Sequence, residues 1–262
     1  MAHSHVIASI EPVQLTIRKI RAADLKDALA QGFDDFLAMP SYAVMLCLIY
    51  PVVALILARV TMGYDVLPLL FPLAAGFALL GPFAAVAFYE MSRQRGKGLQ
   101  ASWHHAFEVF HSPSCGAIAV LGVLLLVIFF VWLAVAQSIY IASFGYMPAA
   151  SVPHFFDRIF TTPSGWTLIV VGNGVGFLFA LGVFMISVFS FPLLLDHHVG
   201  AATALLASVR GVLANPAIMV AWGLIVAGLL LLGSLPFFIG LTVVLPVLGH
   251  ATWHLYRKVV HI

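Results

Sequence analysis

The chain has 262 residues, 63% of them hydrophobic and only 8% charged, where an ordinary soluble domain carries about 25% charged residues. That balance excludes a water-soluble globule. A formal net charge of +2, with no basic stripe interleaved by aromatics, also excludes a nucleic-acid surface and leaves anionic lipid headgroups as the polyanion that fits.

The first forty residues carry charges throughout and lack a short apolar core ahead of a cleavage site, so no secretory signal is expected. The first membrane span is then the targeting element. Residues 1–40 read as a cytoplasmic segment with one amphipathic helix, capped by Asp24 and carrying Asp27 in its first turn, where the helix dipole favours negative charge. Leu25, Leu29, Phe33 and Phe36 recur at helical spacing and form an apolar stripe opposite Lys26, Asp27, Asp34 and Asp35. Such a stripe serves as an interfacial anchor or as a docking helix for another subunit. Pro40 turns the chain into the membrane.

Residues 41–262 read as an all-α polytopic membrane domain, in approximate halves 41–144 and 145–262. A helix needs about 20 mostly apolar residues to cross a bilayer. Six stretches qualify: Tyr42 to Val60, Val66 to Tyr89, Cys115 to Phe144, Trp166 to Phe191, Ala217 to Gly233 and Leu235 to Tyr256. The last two form one apolar run, split at Gly233-Ser234-Leu235-Pro236 because a single helix of that length overshoots the membrane. The runs are continuous and do not alternate as barrel strands do.

A local pattern recurs within this domain. Pro82 and FAAVAFYE lead through Gly98 to LQASWHHAFEVFHSP, and Pro192 and LLLD lead through Gly200 to AATALLASVRGVLANP. Each copy ends in a Pro that opens another apolar span. The pattern predicts a partial internal duplication with two interfacial amphipathic helices, one with its apolar face on Trp103, Ala106, Phe107 and Phe110, the other with a weaker face of Leu205, Val209, Val212 and Leu213. Repeats of this kind are common in transporters.

With six spans, both termini and the 91–114 and 192–216 connections share one side. Of the 12 Lys and Arg residues, all but Arg59 and Arg158 fall there, which predicts cytoplasmic termini in a bacterial inner membrane. Of the 11 His residues, all but His154 lie on that side too. Cys47 and Cys115 have no second Cys at metal-ligand spacing and read as small packing residues.

The candidate site residues are few, because the middle of every span lacks Asp, Glu, Lys and Arg, which argues against ion-coupled transport. Glu90 and Asp196 occupy corresponding places in the two copies, each near a helix C-terminus where a negative charge needs a partner. Arg93 and Arg95 stand close to Glu90, and His197, His198 or Arg210 to Asp196. Two readings stay open: charge clusters at headgroup level, or one polar site shared by the halves. Gln137 and Asn173 are expected in the outer leaflet, as an interhelical hydrogen bond or as a substrate contact, and Gly172 with Gly176 to mark close helix packing. His250 and His254 share a helix face, but the residues between them are Ala251, Thr252 and Trp253 and lack the Glu of a zinc hydrolase helix. They serve as hydrogen-bonded structural histidines, as metal or haem ligands, or as a contact to lipid, quinone or a partner. No metal or cofactor is assigned from sequence.

HATWHLYR, FPLLLDHHVGAATALLAS with the following Asn-Pro, GPFAAVAFYEMSRQRGKG and DLKDALAQGFDDFLAMP together resemble a bacterial family of integral membrane proteins of unknown function. Members of that family are sometimes labelled cytochrome c oxidase subunits. The ligating histidines of a haem-copper catalytic subunit have no counterpart inside these spans. The resemblance therefore implies a non-catalytic accessory or assembly subunit, with other integral membrane proteins such as a respiratory oxidase as partners. The alternative from the residues alone is a permease or channel for a small neutral or amphipathic solute.

Overall fold

The structure, a computed structural model, describes residues 15–39, 69–99, 113–146, 151–236 and 238–261. The expected span Tyr42 to Val60 and the interfacial segment around Trp103 lie outside the described residues. In chain order the elements are β1 (Thr16–Ile17), α1 (Ala22–Ala38), α2 (Leu70–Leu79), α3 (Gly81–Ala84), α4 (Val86–Gly96), α5 (Cys115–Phe144), α6 (Val152–Thr161), α7 (Pro163–Ser187), α8 (Ser190–Asp196), α9 (Ala201–Ala214), α10 (Pro216–Ser234), α11 (Leu241–Val259) and β2 (Val260–His261). Three helical stretches among the described residues are long and apolar enough to cross a membrane: Cys115–Phe144, Pro163–Asp196 and Pro216–Ser234.

The expected span from Val66 to Tyr89 is broken within its described part into α2, α3 and α4. Pro82 has no N–H to continue the α-helical ladder, and the Phe83 N–H turns instead to the Leu80 carbonyl at 3.1 Å. The fourth span keeps its place but is interrupted at Val188 and Phe189, where Ser208 of α9 donates to the Met185 carbonyl at 2.8 Å and accepts from the Phe189 N–H at 3.1 Å. Between α10 and α11 the chain reverses through a turn where Phe238 adopts φ 64. That places the start of the last helix at Leu241, six residues beyond the sequence expectation.

The core lies where α8, α9, α10 and α11 meet. Ser190 to Leu195 are all buried, with Trp222, Leu255 and Tyr256 packed around them. The buried face of α9 is not the Leu205, Val209, Val212 and Leu213 face: it is Ala204, Ala207, Ser208, Gly211 and Val212, with Leu213 exposed. Small residues win here because the Phe189 ring occupies the contact, only 2.8 Å from where a Gly211 Cβ would stand.

The N-terminal helix likewise departs from its sequence reading. The helix begins at Ala22, so Asp24 is its third residue and accepts from the Arg21 N–H at 2.8 Å from inside the first turn. Its buried face is Leu25, Ala28, Gly32, Asp35 and Phe36, packed against α11. Leu29 is half-buried, while Phe33 is 47% exposed and lies off the contact. Close approach explains the shift of face, since a Cβ at Gly32 would sit 2.5 Å from the Ala251 backbone nitrogen. A two-residue antiparallel ladder, Thr16 with His261 and Ile17 with Val260, fastens the same two chain segments.

Candidate functional site

Asp35, assigned by sequence to the polar side of its helix, is 4% exposed and stands where α1, α4 and α11 converge. Its Oδ2 accepts from the Ser92 hydroxyl at 2.5 Å and from His254 Nε2 at 2.8 Å, and its Oδ1 accepts from Arg95. Ser92 also meets His250 Nδ1 at 2.8 Å. Because the single hydroxyl proton goes to the carboxylate, Ser92 accepts from His250, which therefore carries its proton on Nδ1. His250 Nε2 is then a lone-pair acceptor, buried and without a hydrogen-bond partner among the described residues. Phe88 packs edge-on against that imidazole, with centroids 5.5 Å apart.

Burial by itself raises the affinity of Asp35 for a proton. The hydrogen bonds from His254 and Ser92 and the fields of both histidines outweigh it, so the carboxyl is held below its ordinary value of 3.8. Nearby on the surface, Asp27 is lowered by its bonds to Lys258 and Gln31. These pairs extend the α1–α11 contact outward.

The order of this cluster decides its chemistry. An activated serine gives its proton to an imidazole that a carboxylate orients. Here Ser92 gives its proton directly to Asp35 and receives one from His250, so the connectivity is that of a bridge between helices. His250 and His254 both turn to the Asp35–Ser92 pair. Among the described residues, no group of three or more His, Cys, Asp and Glu is placed to hold a metal.

Glu90 forms a second cluster, 1% exposed. Arg93 grips it with both arms, Nε to Oε2 at 2.8 Å and Nη2 to Oε1 at 2.9 Å, and Gln94 Nε2 adds a bond at 2.6 Å. Arg95, the other sequence candidate, goes to Asp35 because a residue five positions along a helix points to the far side. Asp196 forms a third cluster. It accepts from Arg257 at 2.7 Å and from the Tyr256 hydroxyl at 3.1 Å, with His197 Nε2 at 3.3 Å. His198 instead meets Ser114 at 3.2 Å, and Arg210 is exposed with no ion pair among the described residues.

The expected bond between Gln137 and Asn173 is not formed. Gln137 is half-buried with no hydrogen bond among the described residues, and Asn173 faces outward and donates to the Ile169 carbonyl of its own helix at 2.7 Å. Gly176 packs on Trp132 of α5, while Asn173, three residues earlier, lies at the exposed margin of that contact. Sequence reasoning passed over Asp35 and Ser92. The available signal was the 3- and 4-residue spacing of Leu25, Ala28, Gly32 and Asp35, which places the carboxylate in line with the small residues of a close helix contact.

At the other end of α5, the amphipathic α6 covers Phe144, with the Arg158 guanidinium 4.5 Å from that ring centroid. Tyr140, Phe144, His154, Phe155 and Arg158 line a shallow surface depression there.

Long apolar helices joined by short polar ones define an integral membrane protein of the all-α class. Residues 70–196 match the model of a family described as "Predicted integral membrane protein (DUF2189)", so over that stretch the chain is similar to a membrane family of unknown function. Neither the comparison with curated proteins nor that with solved structures gives a match.

Proposed function

We propose that this chain is a non-catalytic accessory or assembly subunit of a larger bacterial inner-membrane complex, with respiratory complexes, cytochrome oxidase included, as the first partners to test. The observation that supports this reading is how the chain uses its polar groups. Asp35, Ser92, His250, Glu90 and Asp196 all bind other residues of the same chain, while the spans keep wide apolar faces. Only 28% of the Cys115–Phe144 window and 17% of the Pro216–Ser234 window is buried. Some of that surface meets lipid and, on this reading, some meets other helices.

The proposal includes six spans with both termini in the cytoplasm, carried by the one-sided distribution of Lys and Arg. Reporter fusions after Gly98, Gly200 and Ile262 are expected on the cytoplasmic side, and those after Met147 and Ser234 outside. A terminal fusion on the outer side overturns the topology.

Purification from the native membrane in digitonin, followed by mass spectrometry and an absorption spectrum, tests the function. Co-purification with defined membrane proteins is the expected result. Recovery without other proteins, together with solute-specific permeability of liposomes containing the chain, replaces this reading with the permease suggested by the duplication.

A further inference from the structure

Asn173 is, with the half-buried Gln137, a side-chain amide within a span that the described residues leave incompletely matched, and of the two it is the exposed one. It lies seven residues inside the expected start of this span at Trp166, which at 1.5 Å per residue is about 10 Å along the helix and within one leaflet of a hydrocarbon core about 30 Å thick. Its side chain is exposed. One amide N–H goes to the Ile169 carbonyl, and no described residue meets Oδ1 or the second N–H. Hydrocarbon offers neither donor nor acceptor, so a lipid-facing amide at this depth is unfavourable wherever a protein partner is available.

The surface around it has the form of a helix contact. Trp166, Val170, Asn173 and Phe177 follow at spacings of four, three and four, the alternation that keeps one stripe in line along a packed helix pair. Val170 and Phe177 are 66% and 64% exposed, and a Cβ at the flanking Gly174 would meet nothing within 4 Å. The flank beside the stripe already packs, through Gly176, three residues from Asn173, on Trp132.

We propose that this stripe is the interface of a homodimer, in which α7 of one copy packs against α7 of a second copy of the same chain across a two-fold axis along the membrane normal. The amide selects this partner. Both copies insert in the same orientation, so a residue near such an axis meets its own equivalent, and a carboxamide is both donor and acceptor and therefore complements itself. Tyr42 to Val60, this chain's own candidate first span, offers the hydroxyl of Tyr50 near its middle and is the competing occupant, which the Cys47 arm of the test below detects. The dimer does not depend on the accessory-subunit reading, since a subunit and a permease can each dimerise.

Cysteine cross-linking of the full chain in native membranes tests it. With Cys115→Ala throughout, and with Cys47 either kept or replaced by Ala, Asn173→Cys and Phe177→Cys are each compared with Leu178→Cys, which is equally exposed but lies on another face. Oxidation is expected to give covalent dimer from positions 173 and 177 whether or not Cys47 is present, and little from 178. Asn173→Leu in the otherwise unchanged chain is expected to weaken self-association about tenfold by energy transfer between labelled copies, with Asn173→Gln retaining most of it. Equal cross-linking from all three positions overturns the proposal. So does cross-linking that occurs within one chain to Cys47, or association unchanged in Asn173→Leu.

Discussion

Glu90 closes on residues three and four places along its own helix, whereas Asp196, at the matching place in the second copy of the pattern, ties to Tyr256 and Arg257, 60 and 61 residues further on. Similar local sequence therefore produced two kinds of polar contact. The Glu90 cluster keeps a buried carboxylate satisfied from within its own helix. The Asp196 cluster fastens α8 to the terminal helix, whose previous turns reach the first copy through His250 and Ser92. The last helix thus holds both copies and α1 together, while the paired carboxylates do not meet at a common site. A recurring sequence pattern fixes where a charge appears, and the burial around it fixes what that charge must bind.

The largest effect is expected at Asp35, where α1, α4 and α11 depend on one carboxylate. Asp35→Ala removes the shared acceptor of Ser92, His254 and Arg95 and is expected to lower stability by about 3–5 kcal/mol, the range for breaking a buried pair. Thermal unfolding in mild detergent measures it, and limited proteolysis shows whether α1 leaves α11.

The same contact gives a pH dependence with a definite sign. Asp35 faces Ser92 and Arg95 on α4 and His250 and His254 on α11, and its folded value lies below 3.8. A lowered carboxyl contributes stability that is complete above its unfolded value and disappears as pH falls through the folded one. Protection of α1 from protease is therefore expected to be retained down to about pH 4 and to fall below it. In Asp35→Asn that particular step should be missing.

Glu90→Gln against Asp196→Asn tests the comparison itself. The first leaves Arg93 without its carboxylate in a buried setting and is expected to cost about 3 kcal/mol. The second loosens a pair whose Arg257 is 57% exposed and is expected to cost about 1 kcal/mol or less. Equal losses would mean that the matching sequence positions matter more than their surroundings. Tyr256→Phe, which removes one bond to Asp196 and keeps the packed ring, is expected to cost about 1 kcal/mol, read from the same melting curves.

Much of the architecture was legible in the chain because apolar length is a local property. The helix Cys115–Phe144 has the bounds its sequence predicts, and Pro216–Ser234 is within a residue of its own at each end. The partner of Glu90 was legible for the same reason, since Arg93 lies one helical turn away. Asp35 was placed on the wrong face because a hydropathy stripe weighs side-chain polarity alone, while Gly32 and Ala251 allow α1 and α11 to approach closely enough to bury the carboxylate among its donors. Asp196 was given local partners because Tyr256 and Arg257 come within reach only once the chain has folded back on itself.

By itself, then, the sequence determined a membrane solvent, the helical class, the bounds of the helices Cys115–Phe144 and Pro216–Ser234 to within a residue, and a charged set confined to the margins of the apolar runs, because each follows from composition within a few turns of chain. Only the tertiary structure decided which carboxylate is central, how the two copies are joined and which amide is left facing outward. Those depend on close contacts between segments as far apart as residues 35 and 254, where a missing Cβ or a single shared proton decides which groups pair.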